Sequence, residues 1–441
     1  MKTIFEILLF VIVVILLNSC NTTEPPPPPP EEPPKAIKLK LIEVSCTEAF
    51  VSVSASDTVL PVNITLTKDG VILDSFTLTQ TDTTVIDTTL QPNITYTYQT
   101  TAQISGKEEN SDTIQVKTLN ITSHNFTWQK FEFGTGASSI FRDVAIIDEN
   151  NIWAVGEIYA DTTGQAYNAV HWNGSTWELK RIRYYGACSA VEYPPLKAIY
   201  AFSANNIVIT NGGSIGWFDG NTIRLDCGVN PLLTGAINKI WGSSSNDLYV
   251  VGNAGSIAHY KNGSWSKIES ETNLNIVDIW GENNSFINKT EIICGAANIF
   301  VNPGSELIKI KEDLTTEILD NTGLGQTFAP IWFKAGIRYS VVGDGLYEKT
   351  YKDTSTWKDL NSNRSITQYF MECIRGSALN NIIVAGAFGE VIHFNGINWK
   401  SIKNTETTLN NGSYYRVAVK GNIVVAVGFD QSQSVILMGH N

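Results

Sequence analysis

The side chains that could do chemistry in this chain of 441 residues are few enough to weigh one group at a time. His171, His259 and His393 stand in Val170-His171-Trp172, Ala258-His259-Tyr260 and Ile392-His393-Phe394, one context copied three times. A zinc site needs its ligands within about 2 Å of one point. Histidines repeated at one place in separate structural units do not converge, so they are read as repeat residues, and no metal or cofactor is expected. Asp143, Asp278 and Glu372 are the carboxylates placed near inner strands, where a convergent pair would suit hydrolysis of a sugar linkage. No G-x-S-x-G elbow, D-x-D-x-D-G calcium loop or phosphate-cradling glycine loop accompanies them, and no catalytic residue is assigned. Six cysteines are present. Cys20 follows an apolar run. Of the other five, Cys188 and Cys227 flank one segment and could bridge in an oxidising compartment, whereas Cys46, Cys294 and Cys373 sit in apolar β-runs and read as small core residues.

A second set emerges only from register. Counting back from the glycine that ends the second strand of each repeat, Tyr200, Trp241, Trp332 and Arg375 occupy equivalent positions, and Trp280 joins them through its Ile-Trp-Gly context. Ala145 breaks the set in the first repeat. Two roles fit these residues: an aromatic and cationic rim that stacks on sugar rings or peptide side chains, or packing between neighbouring units.

The element that positions them is the stretch Ile237 to Ser270, INKIWGSSSNDLYVVGNAGSIAHYKNGSWSKIES, whose pattern recurs from Ile140 to the C-terminus. Two β-runs flank the turn Ser243 to Asp247, a third follows Gly255-Ser256, and Asn262-Gly263 turns the chain into a fourth that begins near Trp265. Segments begin near Arg142, Leu196, Ile237, Ile276, Pro330, Tyr369 and Tyr414, at the roughly 40–50-residue period of four-stranded blades. The last segment offers three strands and ends without its outer one. Asn125 to Phe133, ahead of the first segment, has the form of that missing strand and is expected to complete it, which removes an exposed strand edge. The run IWGSSSNDLYVVGNAGSI resembles the repeats of secreted β-propellers of environmental bacteria. That resemblance implies a seven-bladed β-propeller over residues 125–441.

Ahead of it, residues 36–118 alternate clearly. Phe50 to Val53, Val62 to Leu66, Ile72 to Phe76 and Tyr96 to Thr100 read as strands, with Lys68-Asp69-Gly70 turning a hairpin. Leu90-Gln91-Pro92-Asn93-Ile94-Thr95-Tyr96 resembles the L-x-P-x-x-x-Y segment of fibronectin type III domains, which implies an immunoglobulin-like sandwich with Tyr96 at the corner between two strands. The chain lacks the early-strand tryptophan of that family, since its first is Trp128. The fold class is therefore all-β: a fibronectin type III-like sandwich followed by a propeller.

Residues 1–20 carry Met1-Lys2, an apolar run from Ile7 to Leu17, and Leu17-Asn18-Ser19-Cys20. The run is shorter than the about 18 residues of a membrane-spanning helix. It resembles the signal peptide and lipobox of bacterial lipoproteins, which implies acylation of Cys20 and attachment to the membrane through it. Asn21, in place of an aspartate, implies the outer membrane. Residues 21–35, with Pro25 to Pro30 and Glu31-Glu32-Pro33-Pro34, form a polyproline spacer. The formal net charge of −12, without a Lys/Arg cluster, argues against nucleic acid as a partner. The function expected is a cell-envelope lipoprotein whose propeller is a recognition or scaffolding platform for protein or glycan. A carbohydrate-active enzyme and a purely structural envelope component are the alternatives.

Overall fold

The computed structural model describes residues 35–441 except 136–137, 161–163, 285, 299–302 and 352–355. Cys20, the signal segment and the prolines of the spacer lie outside the described residues.

Alternation in the first unit becomes two facing sheets. Ile37–Val44, Ala49–Ala55 and Asp82–Asp87 form one; Val71–Leu78, Val62–Lys68, Thr95–Ile104 and Lys107–Asn110 form the other, with Ile114–Lys117 also paired to Thr95–Ile104. Period-two burial puts Val51, Val53, Ile64, Leu66, Tyr98 and Val116 between the sheets. The Asp69-Gly70 turn closes its hairpin with both residues at positive φ, 50° and 78°, the geometry of a two-residue hairpin turn. Tyr96 reaches back along the chain, its hydroxyl accepting a hydrogen bond from the amide of Gln91 at 2.9 Å. That bond fixes the corner leading into Thr95–Ile104.

From Ile140 onward the chain lays down six sheets of four consecutive antiparallel strands. A seventh is made of Gly412–Lys420, Ile423–Asp430 and Gln433–His440, with Thr127–Phe133 as its outer strand. The register of that seam runs from Ser434 opposite Phe133 to His440 opposite Thr127. Trp128 pairs with Gly439, where a Cβ would lie 2.2 Å from the indole, so only glycine leaves room for the ring. The innermost strand of each sheet contacts that of the next, and Gly412–Lys420 contacts Ile140–Asp148, so the sheets close into a ring. Apolar clusters fill the wedges between successive sheets: Val155, Ile182, Ile199 and Ile209 in one, Trp241, Val251, Ile279 and Cys294 in another.

The sandwich packs against turn and strand-end residues of the fourth and fifth sheets. Phe50, wholly buried, meets Phe286 and Tyr351 edge-on with ring centroids 6.1 and 5.0 Å away. Around it Glu43 pairs with Lys334 at 3.0 Å and the Tyr351 hydroxyl donates to Glu48 at 3.0 Å.

Candidate functional site

One local irregularity decides which side chains reach the axis. The pairing of the innermost strand with its neighbour slips between Phe141 and Asp143, Ile237 and Lys239, Ile276 and Asp278, Phe328 and Ile331, Met371 and Cys373, and Tyr414 and Arg416. A β-bulge at the same point in six of the seven sheets, the second being the exception, bends the strand and re-aims the side chains beyond it. The first residue past the bulge and the third share the axial face, because strand side chains alternate. Three tiers result: bulge residues at one mouth of the channel, a middle tier, and the aromatic and cationic positions at the other mouth.

The middle tier is charged. Asp143 pairs with Lys239 at 2.5 Å, and Asp278 with Arg375, whose Nη1 donates to it at 2.9 Å. All four side chains are buried. Each aspartate also accepts a backbone amide from the following sheet, Ile199 to Asp143 and Ile331 to Asp278, both at 3.0 Å. Arg416 donates to the carbonyl of Val277 at 2.9 Å. Burial alone would raise the Asp278 carboxyl, but the guanidinium of Arg375 outweighs it, with Arg416 and Lys239 adding to the effect, and holds it below the usual aspartate value. Burial pulls Lys239 below the usual lysine range, against the attraction of Asp143. Glu372, half-buried at its bulge, is raised by desolvation, with Arg416 opposing. Asp143 and Asp278 therefore serve as counter-ions on the axis and do not form an open carboxylate pair at a mouth.

Beyond this tier a cavity of about 210 Å³ opens, lined by Tyr200, Trp241, Trp280 and Arg375 together with Val144 and Val417. The aromatic residues lean over the next sheet as well. Tyr200 donates its hydroxyl to the carbonyl of Gly242 at 3.0 Å, Trp280 donates its indole N–H to Phe333 at 3.3 Å, and a Cβ on Gly281 would lie 2.3 Å from the Trp241 ring. Rim and inter-sheet packing are thus two faces of the same side chains. Trp332 is the correction: only 3 % exposed, it is absent from the cavity lining and lies against Gly376, where a Cβ would be 2.8 Å from the indole. Arg375 is turned inward to Asp278, with its guanidinium 5.1 Å from the centre of the Trp280 ring.

Lys239 and Arg416 complete the axial network, and sequence reasoning does not place them there. Lys239 stands two residues before Trp241, as Asp278 stands two before Trp280, and the two-residue period is the signal that could have found it.

The histidines stay apart. His171 stacks on Trp153 and bonds Asn151 at 2.9 Å; His259 stacks on Tyr249 and bonds Asp247 at 2.8 Å. His393 meets His124, nitrogen to nitrogen, at 2.9 Å. Among the described residues no three His, Cys, Asp or Glu side chains gather as a metal site. Cys188 and Cys227 are joined in a disulfide. Cys46, Cys294 and Cys373 are buried free thiols, and desolvation pushes Cys46 up to about 11 despite the nearby Arg338.

No family model and no curated protein matches the chain. Solved structures do. One described as YCF48 bound to D1 peptide has a TM-score of 0.54 at 15% identity, over 73% of this chain and 98% of that one. YCF48 from Cyanidioschyzon merolae gives 0.51 at 15% identity, over 71% and 98%. The WD40 β-propeller domain of Doa1 gives 0.50 at 14% identity, over 71% and 97%. Likeness at such identity speaks to architecture, and with the ring of sheets it makes this an all-β chain built around a β-propeller.

Proposed function

We propose that the chain is a cell-envelope lipoprotein, anchored through Cys20, that presents a seven-bladed β-propeller as a platform for binding protein segments. A fibronectin type III-like sandwich on a proline-rich spacer holds the platform off an outer membrane. The observation that carries the reading is the cavity bounded by Tyr200, Trp241, Trp280 and Arg375. Rigid aromatic planes beside a guanidinium lose little conformational freedom when they grip a side chain, which is why such residues dominate recognition sites. The solved neighbour bound to a peptide supports a protein ligand on analogy of fold.

The test is selection of peptides from a displayed library on the full chain, followed by titration of the selected peptides against Trp280→Ala. Weaker binding by about tenfold, the effect of roughly 1.4 kcal/mol, in a variant whose circular dichroism shows it still folded at the assay temperature supports the reading; equal binding by the variant overturns it. A glycan array on the same protein separates a sugar ligand from a peptide. Replacement of Cys20 by Ala should release the protein from the membrane fraction, and retention there would sink the anchoring.

A further inference from the structure

The opposite mouth of the channel has a different chemistry. Its cavity of about 320 Å³ is ringed by Arg142, Lys197 and Arg416, with Tyr415 beside them and the amides of Asn253 and Asn275 at the edge. One carboxylate stands at this mouth, Glu372 at the bulge of the sixth sheet, outside the cavity lining and within the field of Arg416 and Tyr415, so three cations face one anion. The polar groups here present donors. Asn253 already uses its side-chain oxygen to accept from Asn238 at 2.6 Å, and Asn275 uses its own to accept from the amide of Ala254 at 3.0 Å, so each has its NH₂ left to offer. Arg416 is held in place by bonds to the carbonyls of Tyr415 and Val277, at 2.8 and 2.9 Å, and its buried Nε has no partner among the described residues. A concave mouth lined by two guanidiniums, an ammonium and amide donors, in a chain of net charge −12, is complementary to an acceptor-rich anion.

We propose that this second mouth binds a carboxylate-bearing peptide segment. The volume is at the small end of the roughly 300–1,000 Å³ of ligand sites, enough for an acidic side chain and the backbone beside it. The asparagine amides suit peptide backbone, and the clustered cations suit the carboxylate. The site is independent of the aromatic cavity, since the buried Asp143, Lys239, Asp278 and Arg375 stand between the two mouths.

The test uses the full chain and fluorescein-labelled tetraglutamate, followed by fluorescence polarisation. Arg142→Gln and Lys197→Gln remove cations from the mouth without touching the axial ion pairs. Each should weaken binding by about tenfold, the loss of one charge-assisted hydrogen bond of roughly 1.4 kcal/mol. Trp280→Ala should bind as the wild type does, so failure here and failure of the aromatic site remain distinguishable. A tetraglutamate amide that binds as well as the free acid assigns recognition to side-chain carboxylates; loss of binding on amidation assigns it to the chain terminus. Equal affinity for tetralysine, no binding of tetraglutamate up to about 1 mM (the roughly −4 kcal/mol level), or full affinity in the Arg142 and Lys197 variants would overturn the proposal. Complete displacement by millimolar inorganic phosphate would show a site for any anion and overturn the peptide assignment.

Discussion

Replacing Asp278 by Asn would leave the guanidinium of Arg375 in the middle of the ring with its bidentate partner gone. Both residues are buried, Asp278 2 % and Arg375 9 % exposed, so solvent replaces little of the lost carboxylate. Removing one member of such a pair costs about 3–5 kcal/mol, because the survivor is an uncompensated buried charge. The amide of Ile331, which donates to the same carboxylate, can still reach the asparagine oxygen, so the loss belongs mainly to the charge. At roughly 2 °C per kcal/mol, suited to a unit this large, the melting temperature should drop by about 6–10 °C. Arg375→Met should cost a similar amount, since it strands the carboxylate. The double variant should recover most of either loss, because an apolar and a neutral side chain no longer oppose burial. Urea unfolding of all four proteins gives the coupling directly. Additive single effects, or single effects below about 1 kcal/mol, would refute the claim that the charges are held as a buried pair. The pH sign agrees. Asp278 is held below its unfolded value, so its contribution is complete above about pH 4 and is lost as pH falls through the lower folded value. In Arg375→Met that acid-side loss should shrink.

Gly281→Ala should destabilise by about 1–3 kcal/mol, the cost of overpacking, because the new methyl would enter the Trp241 ring; a neutral thermal melt would count against inter-sheet packing by that tryptophan. Trp128→Ala should cost about 3 kcal/mol and loosen the seam, and size-exclusion chromatography should then show association through the freed edge of Gln433–His440. Unchanged monomer and melting temperature would deny Thr127–Phe133 its closing role. His393 is lowered to about 3, first by burial and then by His124. The unfolded chain therefore binds more protons than the folded one between the ordinary histidine value of about 6.5 and about 3, and stability should fall by up to about 1.4 kcal/mol per pH unit as the solution is acidified through that window. Urea midpoints at pH 7.5 and pH 5 should converge in His393→Gln; an equal pH dependence in the variant would remove His393 as the cause.

Much of the ring is legible in the sequence because repeats average out the ambiguity of any one strand. The position of Tyr200, Trp241, Trp280 and Arg375 can be fixed from register, since four or more copies of the strand-turn-strand pattern agree where one would not. Their double use is not legible, because sequence spacing gives a side chain's face and says nothing of the glycine one sheet away that receives it. The bulge is hidden for a related reason: a one-residue insertion that recurs in most copies leaves the period intact. Sequence therefore places Asp143, Asp278 and Glu372 near inner strands without saying at what depth, whereas the bend puts the two aspartates in the middle tier and leaves Glu372 at its bulge. Phe50 shows the limit in the sandwich. Val51 and Val53 face its core, and the intervening alternation turns Phe50 outward, where only the fold of a distant segment, through Phe286 and Tyr351, explains an aromatic side chain that is wholly buried. A large apolar residue on the wrong face of a strand is the available signal.

The charged tier also explains how a ring of separate sheets resists opening. Neighbouring sheets hold one another through apolar wedges, but such contacts are local, and a ring held only by them can breathe at any seam. The axial charges span further. Lys239 of the third sheet reaches Asp143 of the first, Arg375 of the sixth reaches Asp278 of the fourth, and Arg416 of the seventh reaches the backbone of the fourth at Val277. Each link skips at least one sheet, so opening a single seam must also stretch a bond across the axis. Long cationic side chains suit this task, because Lys and Arg bridge a gap that no branched apolar residue fills. The same links close the channel between its mouths. An aromatic cavity and a cationic one can then sit back to back on one rigid frame, each preorganised by bonds the other does not use.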